Sequence, residues 1–173
     1  MDLRYPIGHF KPKEPLTSAE RQTFIGQIEQ APDALRSAVE GLTPEQLDTP
    51  YRPDGWTVRQ VVHHIPDSHL NAYIRFRLAL TEDLPTIKPY DEAKWAELPD
   101  ARTAETGISL DLLEALHRRW VLLLRSMSDR ECTRRLNHPE QGIVTLDRFI
   151  GLYAWHGRHH IAHITSLRER NGW

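Results

Sequence analysis

The sequence predicts an all-α protein, a four-helix bundle, on three observations. Four long segments repeat apolar residues at helical spacing, Thr- or Ser-led caps open most of them, and no stretch alternates apolar and polar residues long enough for a convincing strand. At 173 residues the chain suffices for a single domain, residues 1–173, with a hydrophobic core of its own. A formal charge of −2 with both signs interspersed argues against nucleic acid or an anionic membrane as the main partner. No apolar run approaches the roughly 18 residues of a membrane span. The N-terminus lacks a signal pattern, so the expected location is cytoplasmic. The one cysteine, Cys132, suits a reducing compartment and leaves any tight transition-metal site to histidine, of which there are ten.

Residues 1–16 carry three prolines and a glycine and read as an extended arm. Thr17-Ser18-Ala19-Glu20 has the spacing of a capping box and starts the first helix, whose apolar positions Phe24, Ile25, Ile28, Leu35, Ala38 and Val39 keep period until Gly41. Pro32 is expected to kink or split it near Gln30. Thr43-Pro44-Glu45 reads as a cap and proline at the start of a short helical turn. After the turn-rich segment Asp48 to Gly55, Thr57-Val58-Arg59-Gln60 opens the second long helix, to about Leu80. Pro66 inside it removes the backbone bond to Val62 and should bend the helix beside His63 and His64. The stretch from Thr81 to Gly107 has no sustained period, with one helical turn expected near Tyr90 to Trp95. The third long helix spans about Ser109 to Met127, and Ser128 to Leu136 adds a short turn. Asn137 to Gly142 reads as a loop, with Ile143-Val144 too brief for a strand. Thr145 caps the fourth helix, roughly Leu146 to Arg170.

The fourth helix concentrates the chemistry: His156, His159, His160 and His163 fall within eight residues. Imidazoles one helical turn apart can converge on one metal ion, and the spacing offers two such pairs. At about 100° per residue, His160 lies roughly 50° from the centre of the apolar face, His156 about 90°, His163 about 110° and His159 about 150°. The inner pair is therefore His156 and His160. His159 is read as solvent-facing, and His163 as lining the rim of a cavity. A third ligand must come from another helix, and the second long helix offers His63, His64 and His69. Its apolar phase puts His69 near the core centre and His64 on its flank, so spacing alone leaves the third ligand open.

Several segments together resemble the YfiT type of the DinB superfamily over nearly the whole chain. They are Leu3 to Pro12, Leu47 to His64, Asp67-Ser68-His69, Tyr73-Ile74-Arg75-Phe76, Lys88 to Glu92 and Tyr153 to His163. The resemblance implies a bundle of up-down-down-up topology, one divalent metal ion per chain, zinc or nickel, and a homodimer. It also implies the ligand set His64, His156 and His160, while the phase count keeps His69 as the rival to His64. Pro66 departs from the alanine usual in the family.

Three imidazoles leave at least one position open on a zinc-like ion, as in catalytic sites. Such an ion can activate water or hold a thiol as thiolate. The resemblance implies a metal-dependent hydrolase of a small-molecule substrate. The alternative is transfer of a low-molecular-weight thiol, such as bacillithiol or mycothiol, to an electrophile. A third reading is a non-catalytic metal-binding bundle. Asp67, three residues after His64, is the candidate catalytic carboxylate, and a solvated helix carboxylate otherwise. Gln60 is read as a cap and His138 as a surface loop histidine. Arg59, Arg75 and Arg158 are candidates for holding an anionic substrate group and equally surface charges. Trp56 and Trp155 read as packing. Cys132 is not cast as a nucleophile, and no Gly-x-Ser-x-Gly motif appears.

Overall fold

The computed structural model describes residues 2–173. Its elements run α1 (Ser18–Val39), α2 (Pro44–Leu47), α3 (Val58–Thr81), α4 (Glu92–Ala96), α5 (Pro99–Thr103), α6 (Thr106–Ser126), α7 (Asp129–Cys132), β1 (Arg135–His138), β2 (Gly142–Thr145) and α8 (Leu146–Asn171). The cap signals work as the sequence suggests. Thr17, Thr43, Thr57 and Ser128 each close a capping box, and Thr145 accepts from the Arg148 amide. Pro32 does not split α1, which runs unbroken to Val39 with Pro32 buried on its core face. Pro66 likewise lies within an unbroken α3. In both helices the burial of long apolar faces on either side of the proline outweighs one missing backbone bond.

Side-chain pairs between the four long helices fix their directions. Arg21 on α1 meets Asp147 at the start of α8, and Arg168 near the end of α8 meets the Ala38 carbonyl near the end of α1, so these two run parallel. His63 and His69 of α3 meet Ser109 and His117 of α6 in the same order, so that pair is parallel too. Arg36 with Asp111 and Arg125 with Glu29 make α6 antiparallel to α1. The result is the up-down-down-up bundle, with a long connection through α4 and α5 where the consecutive long helices α3 and α6 share a direction.

Two apolar clusters fill the bundle. One, around Phe76, Trp120 and Phe149, occupies one end, and the other, around Leu35, Ile65 and Leu113, the opposite end. Between them lies a polar layer of histidines. The region expected as a loop after α7 is a hairpin, β1 pairing antiparallel with β2 from Arg135↔Thr145 to His138↔Gly142. Four-residue strands are too short to carry a period, yet Leu136 and Val144 are buried opposite each other and tie the hairpin to the core. The preceding segment lies along it through the amides of Ile87 and Asn137. α5 was not expected, and α4 occupies Glu92–Ala96, within and just beyond the expected Tyr90 to Trp95 turn. Among the described residues no helix is long and apolar enough to cross a membrane.

Candidate metal centre

α3 and α8 cross antiparallel in the polar layer and bring His64, His156 and His160 together. One nitrogen from each ring lies within 4.8 Å of the others. His64 Nε2 and His156 Nε2 are 3.3 Å apart, and the ring of His160 stands 4.5 Å from that of His156 and 4.7 Å from that of His64. Of the two candidates on α3, His64 stands beside the other two rings and His69 stands behind His156. Burial lowers the pKa of His64 to about 4 and holds His156 and His160 well below the ordinary histidine range, with neighbouring imidazoles acting in the same direction. The rings are therefore neutral and present lone pairs, which is the state a metal ligand needs.

Behind His156 the proton positions are set by a buried chain. His117 Nδ1 lies 2.6 Å from the Ile28 carbonyl, which can only accept, so that nitrogen carries the proton. Burial keeps His117 neutral, its pKa lowered to about 4, so its Nε2 is a bare acceptor. His69 Nδ1, 2.7 Å away, donates to it. His69, fully buried and neutral, then has a bare Nε2, to which His156 Nδ1 donates at 3.1 Å. His156 is left with its Nε2 lone pair facing His64. A backbone carbonyl on α1 thus fixes which ring nitrogen of His156, on α8, is left bare. α8 packs closely against α1 and His69 here: a Cβ at Gly157 would stand 3.4 Å from Ala31 Cβ and 3.5 Å from His69 Cε1, at ordinary contact distance.

The three nitrogens open onto a cavity of about 290 Å³. Trp56 and Trp155 line it, Trp56 standing 4.8 Å from the His64 ring, so both tryptophans serve the site as well as the packing. Tyr90, Ser68, Glu92, Glu140, Arg75 and His138 complete most of its wall. The donor set fits a divalent cation. It offers converging neutral imidazoles, one held in the ligating tautomer, and the buried His160 Nδ1 has no hydrogen-bond partner.

Other sequence expectations are met at some residues and corrected at others. His159 is buried, not solvent-facing, because the N-terminal arm lies over the outer side of α8. Trp155 stacks on it at 4.3 Å, Tyr5 stands 5.8 Å away, and Trp155 Nε1 donates to the Gly8 carbonyl. Helical phase registers only the bundle, not a cover laid on from elsewhere. His163 pairs with His159 at 3.1 Å and packs edge-on against Tyr51, outside the triad, along a second cleft that also holds Arg4 and Arg52. His138 is a buried strand residue in the cavity wall, not a surface loop histidine, because the hairpin folds it inward. Gln60 closes its capping box and also donates to the Ala96 carbonyl. Arg59 pairs with Asp48 at 2.7 Å and Arg158 is exposed, so neither meets the cavity, whereas Arg75 lines it. Cys132 is fully buried with its thiol pushed up to about 11 by burial, which suits a packing residue.

Asp67 is half-buried and is not among the cavity-lining residues. Burial, helped by Asp100, raises its carboxyl to about 6. That value lies above the roughly 3.9 of an unfolded chain, so the stability it contributes is full below pH ~3.9 and is lost as pH rises through 6. Asp67→Asn is therefore expected to raise stability at pH 8 by ~1 kcal/mol, discounted for partial exposure, and to leave it unchanged near pH 3.5. Urea midpoints at the two pH values check this; an equal gain at both would contradict it.

Comparisons with known proteins agree with this geometry. A family model described as the DinB superfamily matches residues 27–164. Relatives from Bacillus cereus (strain 03BB102) and Bacillus thuringiensis subsp. konkukian (strain 97-27) are each 59% identical over 172 residues, covering 99% of both chains; both are provisionally named metal-dependent hydrolases. YfiT from Bacillus subtilis, described as a probable metal-dependent hydrolase with an unusual four-helix bundle topology, superposes with a TM-score of 0.97 at 52% identity, covering 100% of this chain and 99% of its own. By the family model's match and by its close likeness in sequence and fold to YfiT, the chain belongs to the DinB superfamily.

Proposed function

We propose that the protein is a divalent-metal-dependent hydrolase of a small molecule, with zinc or nickel held by His64, His156 and His160. The observation that carries this reading is the convergence of three neutral imidazoles on one side of an open cavity. The names of the similar Bacillus proteins support it. When bound, such an ion supplies Lewis-acid chemistry, polarising a substrate oxygen and lowering the pKa of a coordinated water to about 7.

The protein's own groups have distinct parts in this scheme. The buried chain from Ile28 through His117 and His69 keeps His156 in its ligating tautomer. The tryptophans and Tyr90 shape an apolar wall for the substrate's body. Hydrolysis also needs a group to take a proton from the attacking water. Glu92 and Glu140 are the carboxylates that line the cavity, which favours them over Asp67 for that task.

A second reading has one specific observation in its favour. Arg75 and His138 stand in the cavity wall, and a cationic wall beside a metal suits a thiol cosubstrate carrying carboxylates. Assay of zinc- and nickel-loaded protein against a panel of aryl esters and amides, and separately against low-molecular-weight thiol plus a bimane electrophile, tests both. Ester or amide turnover is expected, absent in the metal-free protein. Turnover only with the thiol pair would replace hydrolysis by transfer, and turnover with neither would leave a non-catalytic metal protein.

A further inference from the structure

Among the described residues three arginines are buried. Arg21, 7% exposed, pairs with Asp147 at 2.9 Å and Asp129 at 2.6 Å. Arg59, 8% exposed, pairs with Asp48 at 2.7 Å. Arg75 is equally buried at 8%, yet no carboxylate oxygen of the described residues lies within 4.0 Å of it. The one hydrogen bond its guanidinium makes to the described residues runs from Nη1 to the Tyr153 hydroxyl at 3.4 Å, a long contact to a neutral group. A buried cation without a counter-charge is costly, and proteins pair such groups or complete them with a ligand. The two carboxylates that share the cavity, Glu92 and Glu140, are exposed and beyond ion-pair distance.

The position of this arginine gives the cost a purpose. Arg75 follows His64 by eleven residues on α3, which at about 100° per residue returns it to within roughly 20° of the same face. The two Cα atoms are then ~16 Å apart along the axis, and a helical side chain leans toward the N-terminus, here toward the histidines. Both residues line one cavity, with Ser68 and Tyr153 between them in its wall. The planar fork of a guanidinium matches a carboxylate or a phosphate through two parallel hydrogen bonds.

We propose that Arg75 is the anion-recognition residue of this cavity, so that the substrate carries a carboxylate or phosphate at the end remote from the bond that reacts. The proposal rests on the reading of the cavity as a hydrolytic site only in calling that anion part of the substrate. Arg75 fixes the orientation in which a small molecule enters, its anionic end at the guanidinium and its body against Tyr90 and Trp155.

The test uses metal-free protein, so that anions have no ion to bind. Benzoate, phenyl phosphate and neutral benzyl alcohol are titrated by calorimetry into wild type, Arg75→Lys and Arg75→Met. Wild type is expected to bind at least one anion at least tenfold more tightly than benzyl alcohol, and Arg75→Met to lose that margin. Arg75→Lys should keep part of it. The stronger of the two anions identifies the group. In wild type labelled with ¹⁵N, the Arg75 Nε resonance should shift on adding that anion, a readout that holds even if a variant fails to fold. Equal binding of the anion and the alcohol, undiminished binding in folded Arg75→Met, or an unmoved Arg75 resonance overturns the proposal. Zinc affinity is measured in parallel and is expected to be the same in wild type and Arg75→Met. Failure of wild type to bind zinc would remove the hydrolase reading while leaving the anion result standing.

Discussion

Replacing any one of His64, His156 or His160 with alanine is expected to weaken binding of a divalent ion by roughly 100-fold or more and to abolish metal-dependent turnover. Apparent affinities of ~10–16 kcal/mol at four-ligand structural zinc sites correspond to ~3 kcal/mol for each ligand, and at 1.4 kcal/mol per decade that is about two orders of magnitude. The three variants should differ in what else they disturb. His156→Ala also removes the donor to His69 Nε2, leaving a fully buried nitrogen unsatisfied at a cost of about 1–3 kcal/mol. His64 makes no hydrogen bond except its contact with His156, so His64→Ala separates loss of metal from loss of fold. Zinc titration by calorimetry reads the affinity. The rise in Tm on adding zinc, large in wild type and absent in His64→Ala, reads the same loss by linkage. Unchanged affinity in all three variants would mean that the ion sits elsewhere.

The bundle was readable from the sequence because its long helices are amphipathic and capped, and those are local properties. Phase alone separated His156 and His160 from their neighbours for the same reason: both belong to one helix and its own apolar stripe. It failed for His159 because the cover comes from residues 5–10, more than a hundred positions away, and phase does not see the arm. The third ligand was ambiguous from phase because His64 and His69 both belong to the polar layer, one in front of His156 and one behind it. Depth along the line between two helices is a tertiary quantity that spacing cannot supply, whereas the resemblance pointed to His64, the histidine that stands beside the other two. A phase signal also marked Arg75, read from the sequence as only one of three candidate cations, and His117, which was not singled out. Arg75 repeats the direction of His64 eleven residues on, and His117 interrupts the apolar stripe of Leu113, Leu116 and Trp120. A polar side chain at a core phase position needs a partner, and the partner of His117 is His69. His138 carried no such signal, since its burial depends on a hairpin too short to show in the pattern.

His117 provides the second large effect, because it acts on the metal without touching it. In His117→Phe the acceptor for His69 Nδ1 is gone, and His69 is free to move its proton to Nε2. It then donates to His156 Nδ1 where it had accepted, and His156 must carry its own proton on Nε2, the atom that faces His64. Metal binding would have to reverse that arrangement, so affinity is expected to fall by about 10–100-fold, the range found when the outer partner of a ligating histidine is removed. A purely structural role for His117 would predict lower stability with the affinity of the folded protein unchanged. Two further measurements separate these cases. The ¹⁵N shifts of His156 in the metal-free protein should report a bare Nε2 in wild type and a protonated Nε2 in His117→Phe. His117→Gln, whose amide can donate to the Ile28 carbonyl while its oxygen accepts from His69, should restore both the shift and most of the affinity. Wild-type zinc affinity in folded His117→Phe would show that His156 finds its ligating tautomer without help. In that case the chain of buried histidines serves only to satisfy the polar layer between the two apolar clusters.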